Sequence, residues 1–135
     1  MSQENVNIIR GLYDSYSRHD EAAFFDVLDP NVEWVFADNF IYADASPMTG
    51  RDVFSKGSLR RLDTDWVGGF EGVPDEILDA GENVIGLGHY VGVHKGTGKR
   101  LRAQFAHVFT LANGKVTRWR QYLDTKQLAE VAGVR

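Results

Sequence analysis

The chain has no cysteine in its 135 residues. Disulfides and thiolate metal sites are therefore excluded, and the composition is compatible with a reducing cytoplasm, which is the location expected here. No apolar run approaches the roughly 20 residues of a membrane-spanning helix. The first residues, MSQENVNIIR, lack the basic start and apolar stretch of a signal peptide, so no leader is expected. There is no excess of positive charge. The net charge of -4 argues against nucleic acid as a partner, because phosphate binding needs a basic surface. Lys99, Arg100, Arg102, Arg118 and Arg120 form a local basic group, but no aromatics interleave with them. A solvated or subunit-facing sheet surface explains them better than a nucleic-acid site. Repeats, low-complexity tracts and linkers are also absent.

What is present suits one globular domain over residues 1–135. Hydrophobic residues make up 43% and charged residues 25%, enough apolar surface for one core and far from a disordered composition. Ile9, Leu12, Tyr13 and Tyr16 recur at helical spacing and predict a helix over 3–18. Asp20 caps a short second helix through about Leu28, and Pro30 breaks it. NVEWVFAD alternates Val32, Trp34 and Phe36 against Glu33, Val35 and Ala37, a strand with one buried face. Thr49 and Asp52 resemble a capping box opening a helix through about Leu62. Residues 63–72 hold three glycines with Trp66 and Phe70, an aromatic loop expected to be mobile. That loop is either a lid or an ordinary packed connection. Val73–Leu78 reads as a short strand.

The last third carries the clearest pattern. Ile85, Leu87, His89, Val91 and Val93 alternate with Gly86, Gly88, Tyr90, Gly92 and His94. Residues 99–111 alternate again, Val116–Leu123 form a third strand, and HKGTGK and LANGK are hairpin turns. DTKQLAEVA closes the chain as a helix. Helices first and an antiparallel meander last predict an α+β fold, with helices on one face of a bent sheet. Alternate glycines on one strand fit bending or close approach of another chain. GLGHYVG is not a dinucleotide fingerprint, since its spacing is wrong and a strand follows.

Register decides which residues face inward. A three-residue turn at Ala112-Asn113-Gly114 sets Phe109 opposite Thr117, His107 opposite Trp119 and Phe105 opposite Gln121. It keeps Arg118 and Arg120 on the outer face, whereas burying two unpaired guanidinium groups would cost several kcal/mol. The preceding hairpin is expected to set Val93 opposite Leu101, His89 opposite Phe105 and Leu87 opposite His107. His89 and His107 then become diagonal neighbours on one apolar face, about 7–8 Å apart at Cα. One buried histidine is more often a satisfied core residue. Two on a concave face, with Trp119 and Gln121 beside them, point to a pocket for a small molecule. Burial would keep such a histidine neutral, able to donate and to accept. Metal binding is not expected, since no third ligand has suitable spacing.

The helix ending SRHD, the DPNVEW strand entry, HVFTLANGKVTRWRQYLD and the helix after it resemble the SnoaL-like branch of the nuclear transport factor two-like superfamily, over roughly residues 5–131. The resemblance implies a cone-shaped, cystatin-like fold: a curved antiparallel sheet wrapped by N-terminal helices around an apolar cavity, commonly a homodimer. The fold hosts isomerases, cyclases, dehydratases and non-catalytic binders, so it does not assign an activity. The general base of the steroid isomerases would fall at Trp34, which removes it, and their protonated aspartate at His107. Their oxyanion tyrosine would fall near Leu12, flanked by Tyr13 and Tyr16. The dehydratases' histidine pair and helix tyrosine correspond to His89, His107 and Tyr16. The late aspartate of the cyclases matches Asp124, although DTKQ also has helix-capping spacing and strict alternation places Asp124 on the outer phase. Asp38 is a backup base or an ordinary loop residue.

The expected function is cofactor-independent acid/base chemistry of isomerase, cyclase or dehydratase type on a small apolar or aromatic carbonyl or hydroxyl compound. Asp124 and His107 are the candidate catalytic groups. Tyr16, Trp34, His89, Phe105, Trp119 and Gln121 are the candidate substrate contacts. The alternative is a dimeric module of the same fold that binds a ligand without turning it over. A purely structural role comes third.

Overall fold

The computed structural model describes residues 2–43 and 45–134. The elements are α1 (Ser2–Ser17), α2 (Glu21–Asp26), β1 (Leu28–Val35), β2 (Met48–Thr49), α3 (Arg51–Lys56), α4 (Ser58–Asp65), β3 (Glu71–Ala80), β4 (Asn83–Val93), β5 (Arg100–Ala112), β6 (Lys115–Leu123) and α5 (Thr125–Ala132). The strands form one curved, unclosed sheet in the order β2-β1-β6-β5-β4-β3. β1 runs parallel to β6, and the other neighbours are antiparallel. This is the expected α+β architecture, with the helices set against the concave face.

Local chemistry explains most boundaries. Asp20 accepts from the backbone N–H of Ala23 and starts α2. Asp124 does the same for α5 through Gln127, and Gly133 ends that helix in the left-handed conformation at φ 74°. The expected capping box at Thr49 does not form. Thr49 lies on β2 opposite Glu33, and Gly50 precedes α3 without a side-chain cap. Gly57 then splits the expected single helix into α3 and α4. Pro30 sits inside β1, whose pairing with β6 is interrupted between Leu28 and Glu33, where proline needs no ladder partner.

The 63–72 segment is not a loose loop. Trp66 is wholly buried and Phe70 nearly so. The Trp66 indole N–H donates to the Tyr42 hydroxyl at 2.8 Å, and that hydroxyl donates to Asp65 at 3.0 Å. Burial pushes the Tyr42 phenol up to about 12.

Two registers differ from those expected. Asn113 and Gly114 both have positive φ, 52° and 76°, so the β5–β6 hairpin closes with two residues, Ala112 opposite Lys115. A bulge then leaves Thr117 unopposed and shifts the pairing by one. Phe109 consequently faces Trp119, His107 faces Gln121 and Phe105 faces Leu123. The bulge does what the longer turn was expected to do, since Arg118 stays on the surface and pairs with Glu33 at 2.6 Å.

β4 is turned over relative to expectation. Gly88 pairs with Phe105, Gly86 with His107 and His89 with Gln104. The inward face of β4 therefore carries Val84, Gly86, Gly88, Tyr90 and Gly92, and His89 looks outward. The reason is space on the concave side. A Cβ on Gly86 would lie 2.1 Å from the Tyr13 hydroxyl oxygen, and one on Gly92 3.0 Å from the Trp66 ring. A Cβ on Gly88 would lie 2.1 Å from the Val73 carbonyl oxygen and 2.8 Å from Phe105. The glycines admit α1 and the neighbouring aromatic rings of this chain, not a second chain on the outer face.

Candidate functional site

The concave face and the helices enclose a small cavity of about 60 Å³, part of it open toward solvent. Its wall is mostly aromatic. α1 contributes Leu12, Tyr13 and Tyr16, α2 contributes Phe24, β1 contributes Trp34, and Phe36 follows just beyond its end. Phe40, Phe54, Leu62 and Phe70 complete the helical and loop side, while Tyr90, His107, Trp119 and Gln121 project from β4, β5 and β6. No Asp, Glu, Lys or Arg lies among these lining residues. The rings are mutually locked: Trp34 stacks on Phe54 at 4.3 Å and on Trp119 at 5.3 Å. The Trp34 indole N–H is tied to the Gly50 carbonyl at 2.8 Å, which fixes its orientation.

The polar groups are concentrated at one place. His107, 2% exposed, lies between two phenols. Its Nδ1 is 2.7 Å from the Tyr13 hydroxyl, and its Nε2 is hydrogen-bonded to the Tyr90 hydroxyl. The Gln121 amide N–H donates to the Tyr90 oxygen at 3.0 Å, and Gln121 Oε1 faces the Ala37 backbone N–H at 3.5 Å. Phe105 stacks on the imidazole at 4.1 Å with the rings 15° apart. Desolvation pushes the His107 pKa down to about 3, so the ring is neutral near pH 7. Burial also raises the phenols of Tyr13 and Tyr90, and they stay protonated. Chemically this is a neutral, hydrogen-bonded chain in a dry aromatic setting, where directed hydrogen bonds are strong and a free charge is costly.

Of the residues expected at the site, the structure gathers Tyr16, Trp34, His107, Trp119 and Gln121 around the cavity. Phe105 lies directly behind His107. Two stand elsewhere. His89 is on the outer sheet face, its Nδ1 2.6 Å from Asp75 Oδ2 without an aligned hydrogen bond, because β4 presents its glycines inward. Asp124 is exposed beyond the end of β6, both its oxygens directed to Gln127 at the start of α5. Asp38 is an exposed loop residue. Tyr16 lines the cavity where it borders a groove containing Asp63, Glu21 and His19. Burial, then the nearby Asp63 carboxylate, raises its phenol.

Tyr13 and Tyr90 were not among the expected contacts. The signal for Tyr90 was its shared phase with Gly86, Gly88 and Gly92: small residues alternating with one large ring mark a face against which other bulky groups are pressed. Among the described residues, no group of three or more His, Asp or Glu is placed to hold a metal ion. No helix among them is long and apolar enough to cross a membrane.

Comparison with known proteins places this geometry in a wider group. A SnoaL-like domain description matches residues 9–119. A solved NTF2-like protein from Burkholderia thailandensis is 31% identical, with a TM-score of 0.87 over 97% of this chain and 98% of that one. TerC, solved after co-crystallisation with polyporic acid, is 23% identical with a TM-score of 0.84 over 96% and 98% of the two chains. A Catenulispora acidiphila protein of ketosteroid isomerase-like fold, solved with trimethylamine, is 17% identical with a TM-score of 0.77 over 95% and 93%. Among curated proteins, none matches. With the domain match spanning most of its length, the chain belongs to the SnoaL-like domain family and has the NTF2-like fold.

Proposed function

We propose that this protein binds a small apolar or aromatic carbonyl or hydroxyl compound in its cavity. The observation that carries the reading is the aromatic wall with a single buried polar cluster, His107 between Tyr13 and Tyr90 with Gln121 behind. Such a site holds a flat apolar body by ring contact and orients it through a few polar atoms. TerC, co-crystallised with polyporic acid, and the Catenulispora protein, in complex with trimethylamine, support the idea that proteins of this fold bind small molecules.

Proton transfer by Asp124 has little support, because its oxygens hold the start of α5. His107 as general base has little more, since both ring nitrogens are engaged and burial disfavours its charged form. A second reading, an isomerase, cyclase or dehydratase working by hydrogen-bond donation alone, is favoured by the buried Tyr90 hydroxyl. It requires a substrate whose reaction needs no strong base from the protein.

The test uses two of the three tryptophans as reporters, since Trp34 and Trp119 line the cavity. Titration with polyporic acid and with naphthalene ketones should quench their fluorescence saturably, and Trp34→Phe with Trp119→Phe should abolish the signal. Time-resolved mass spectrometry of the bound compound then separates the readings: an unchanged mass and retention time support binding, and a changed one supports catalysis. No saturable binding of any probe would refute both.

A homodimer through the outer sheet face belongs to the same proposal. Leu78, Ile85 and Val108 form one cross-strand row there, and Leu87, Ala106 and Tyr122 another, with Tyr122 50% and Leu78 38% exposed. Light scattering at micromolar concentration should give the dimer mass, and a monomer mass would overturn this part.

A further inference from the structure

The closed cavity is too small for an aromatic ring. Its volume is about 60 Å³, whereas an apolar cavity needs roughly 150 Å³ to take one benzene. Part of the wall must therefore move before such a body enters. Two surface pockets adjoin the cavity, one of about 30 Å³ and one of about 170 Å³. Tyr16 and Phe70 line all three spaces, so these two rings form the partition between them.

The two rings are held differently. Phe70 is buried between Trp66 at 5.2 Å and Tyr90 at 4.8 Å. Those neighbours are themselves tied, Trp66 to Tyr42, and Tyr90 to His107 and Gln121. The backbone around Phe70 is pinned on both sides to β4, by the Val67 N–H donating to the Val93 carbonyl at 2.9 Å and by Glu71 in register with Val91. Tyr16 is only half-buried, and its ring contact is a tilted one with Phe24 at 5.4 Å. Among the described residues no hydrogen bond holds its hydroxyl. The hydroxyls of the buried Tyr13, Tyr42 and Tyr90 are all bonded. A swing of Tyr16 thus breaks no hydrogen bond, and its helix allows an aromatic side chain two χ1 wells, near about 180° and −60°. On its outer side, Asp63 lines the same groove. Burial first, then the Asp63 carboxylate, raises the phenol's pKa, so the hydroxyl stays protonated and can donate.

We propose that Tyr16 is a gate: its ring leaves the cavity wall for the groove beside Asp63, its hydroxyl donates to that carboxylate, and the cavity opens into the neighbouring pocket to admit an aromatic body. The closed state keeps the Phe24 contact. The open state exchanges it for one charge-assisted hydrogen bond, a term of similar size. The structure holds the closed state, so the open one is the minor population, and a ligand that fits only the open state draws the equilibrium toward it. Its apparent affinity then scales with the open fraction.

The gate rests on the binding reading, but its first test needs no ligand. Relaxation-dispersion NMR of ring-labelled tyrosines should show microsecond-to-millisecond exchange at Tyr16 and none at Tyr13 or Tyr90. Absence of exchange at Tyr16, or equal exchange at all three, overturns the gate. The second test titrates 2-acetylnaphthalene by tryptophan quenching into the parent, Tyr16→Phe, Asp63→Ala and the double variant, each checked for folding by its amide NMR spectrum. Asp63 is not among the residues lining the cavity, so a Tyr16 that merely walls the cavity leaves Asp63→Ala without effect. Each single variant should bind about tenfold more weakly, the worth of one charge-assisted hydrogen bond. The double variant should bind no more weakly than either, because all three lack the same bond. Unchanged affinity in Asp63→Ala, or losses that multiply in the double variant, refute the gate. If the parent binds no probe, the binding reading fails, and exchange at Tyr16 alone decides whether the ring moves.

Discussion

Gly86→Ala is the most discriminating single change for the architecture of the site. The added methyl would lie 2.1 Å from the Tyr13 oxygen, 2.9 Å from Cζ and 3.1 Å from Cε2. Comfortable carbon contacts begin near about 3.5 Å, so the phenol must retreat by about 1 Å or more. Its hydrogen bond to His107 is 2.7 Å long and would be lost at that displacement. Overpacking of this kind costs about 1–3 kcal/mol. An imidazole nitrogen left unpaired in the core adds about 1–3 kcal/mol. The expected loss is therefore about 2–6 kcal/mol in urea denaturation, with an unchanged m-value. In a Tyr13→Phe background the loss should shrink, because the closest clashing atom is gone, and the coupling should reach about 0.5–3 kcal/mol. Gly11→Ala is the control: that glycine is exposed on α1 with nothing near its Cβ position, and the change should stabilise by about 0.5–1 kcal/mol. If Gly86→Ala were as stable as the parent or more so, the inward-glycine account of β4 would be wrong.

The folded pKa of His107 lies below the unfolded value of 6.5, so the unfolded chain takes up the proton first. The stability from a neutral ring is full above pH 6.5 and is lost as pH falls toward 3, at about 1.4 kcal/mol per pH unit. His107→Gln should remove that slope, which urea denaturation at pH 7 and pH 4 would show. A proton NMR titration from pH 8 to pH 5 should leave the His107 ring signals unmoved. Asp124→Ala should lower stability by about 0.5–2 kcal/mol through loss of the α5 cap and leave probe affinity unchanged, measured by denaturation and quenching. His89→Ala, on the outer face, should likewise leave probe affinity unchanged in the same titration.

These predictions divide along the line between local and tertiary information. The caps at Asp20 and Asp124 are short-range chemistry, and their residues announce them; Asn113-Gly114 marked the hairpin, but it closes with two residues and a bulge where a three-residue turn was expected. The alternation of Phe105, His107 and Phe109 was equally legible, because the outer phase of β5 carries Arg102 and Gln104 and only one face suits a core. β4 offered no such asymmetry. Ile85, Leu87 and Val91 on one phase compete with Val84 and Tyr90 on the other, and periodicity alone favoured the larger aliphatic set. What reverses the choice is the room that Tyr13 from α1, Phe105 from β5 and the buried Trp66 need on the concave side, contacts between residues far apart in the chain.

The sequence by itself therefore determined the fold class, most of the element order and the inward placement of His107, Trp34, Trp119 and Gln121. The bulge at Thr117, the inward turn of Tyr90 and the removal of His89 from the cavity were decided only by the tertiary structure. A strand that is apolar on both faces has two registers of similar local energy, and steric exclusion by other elements selects between them.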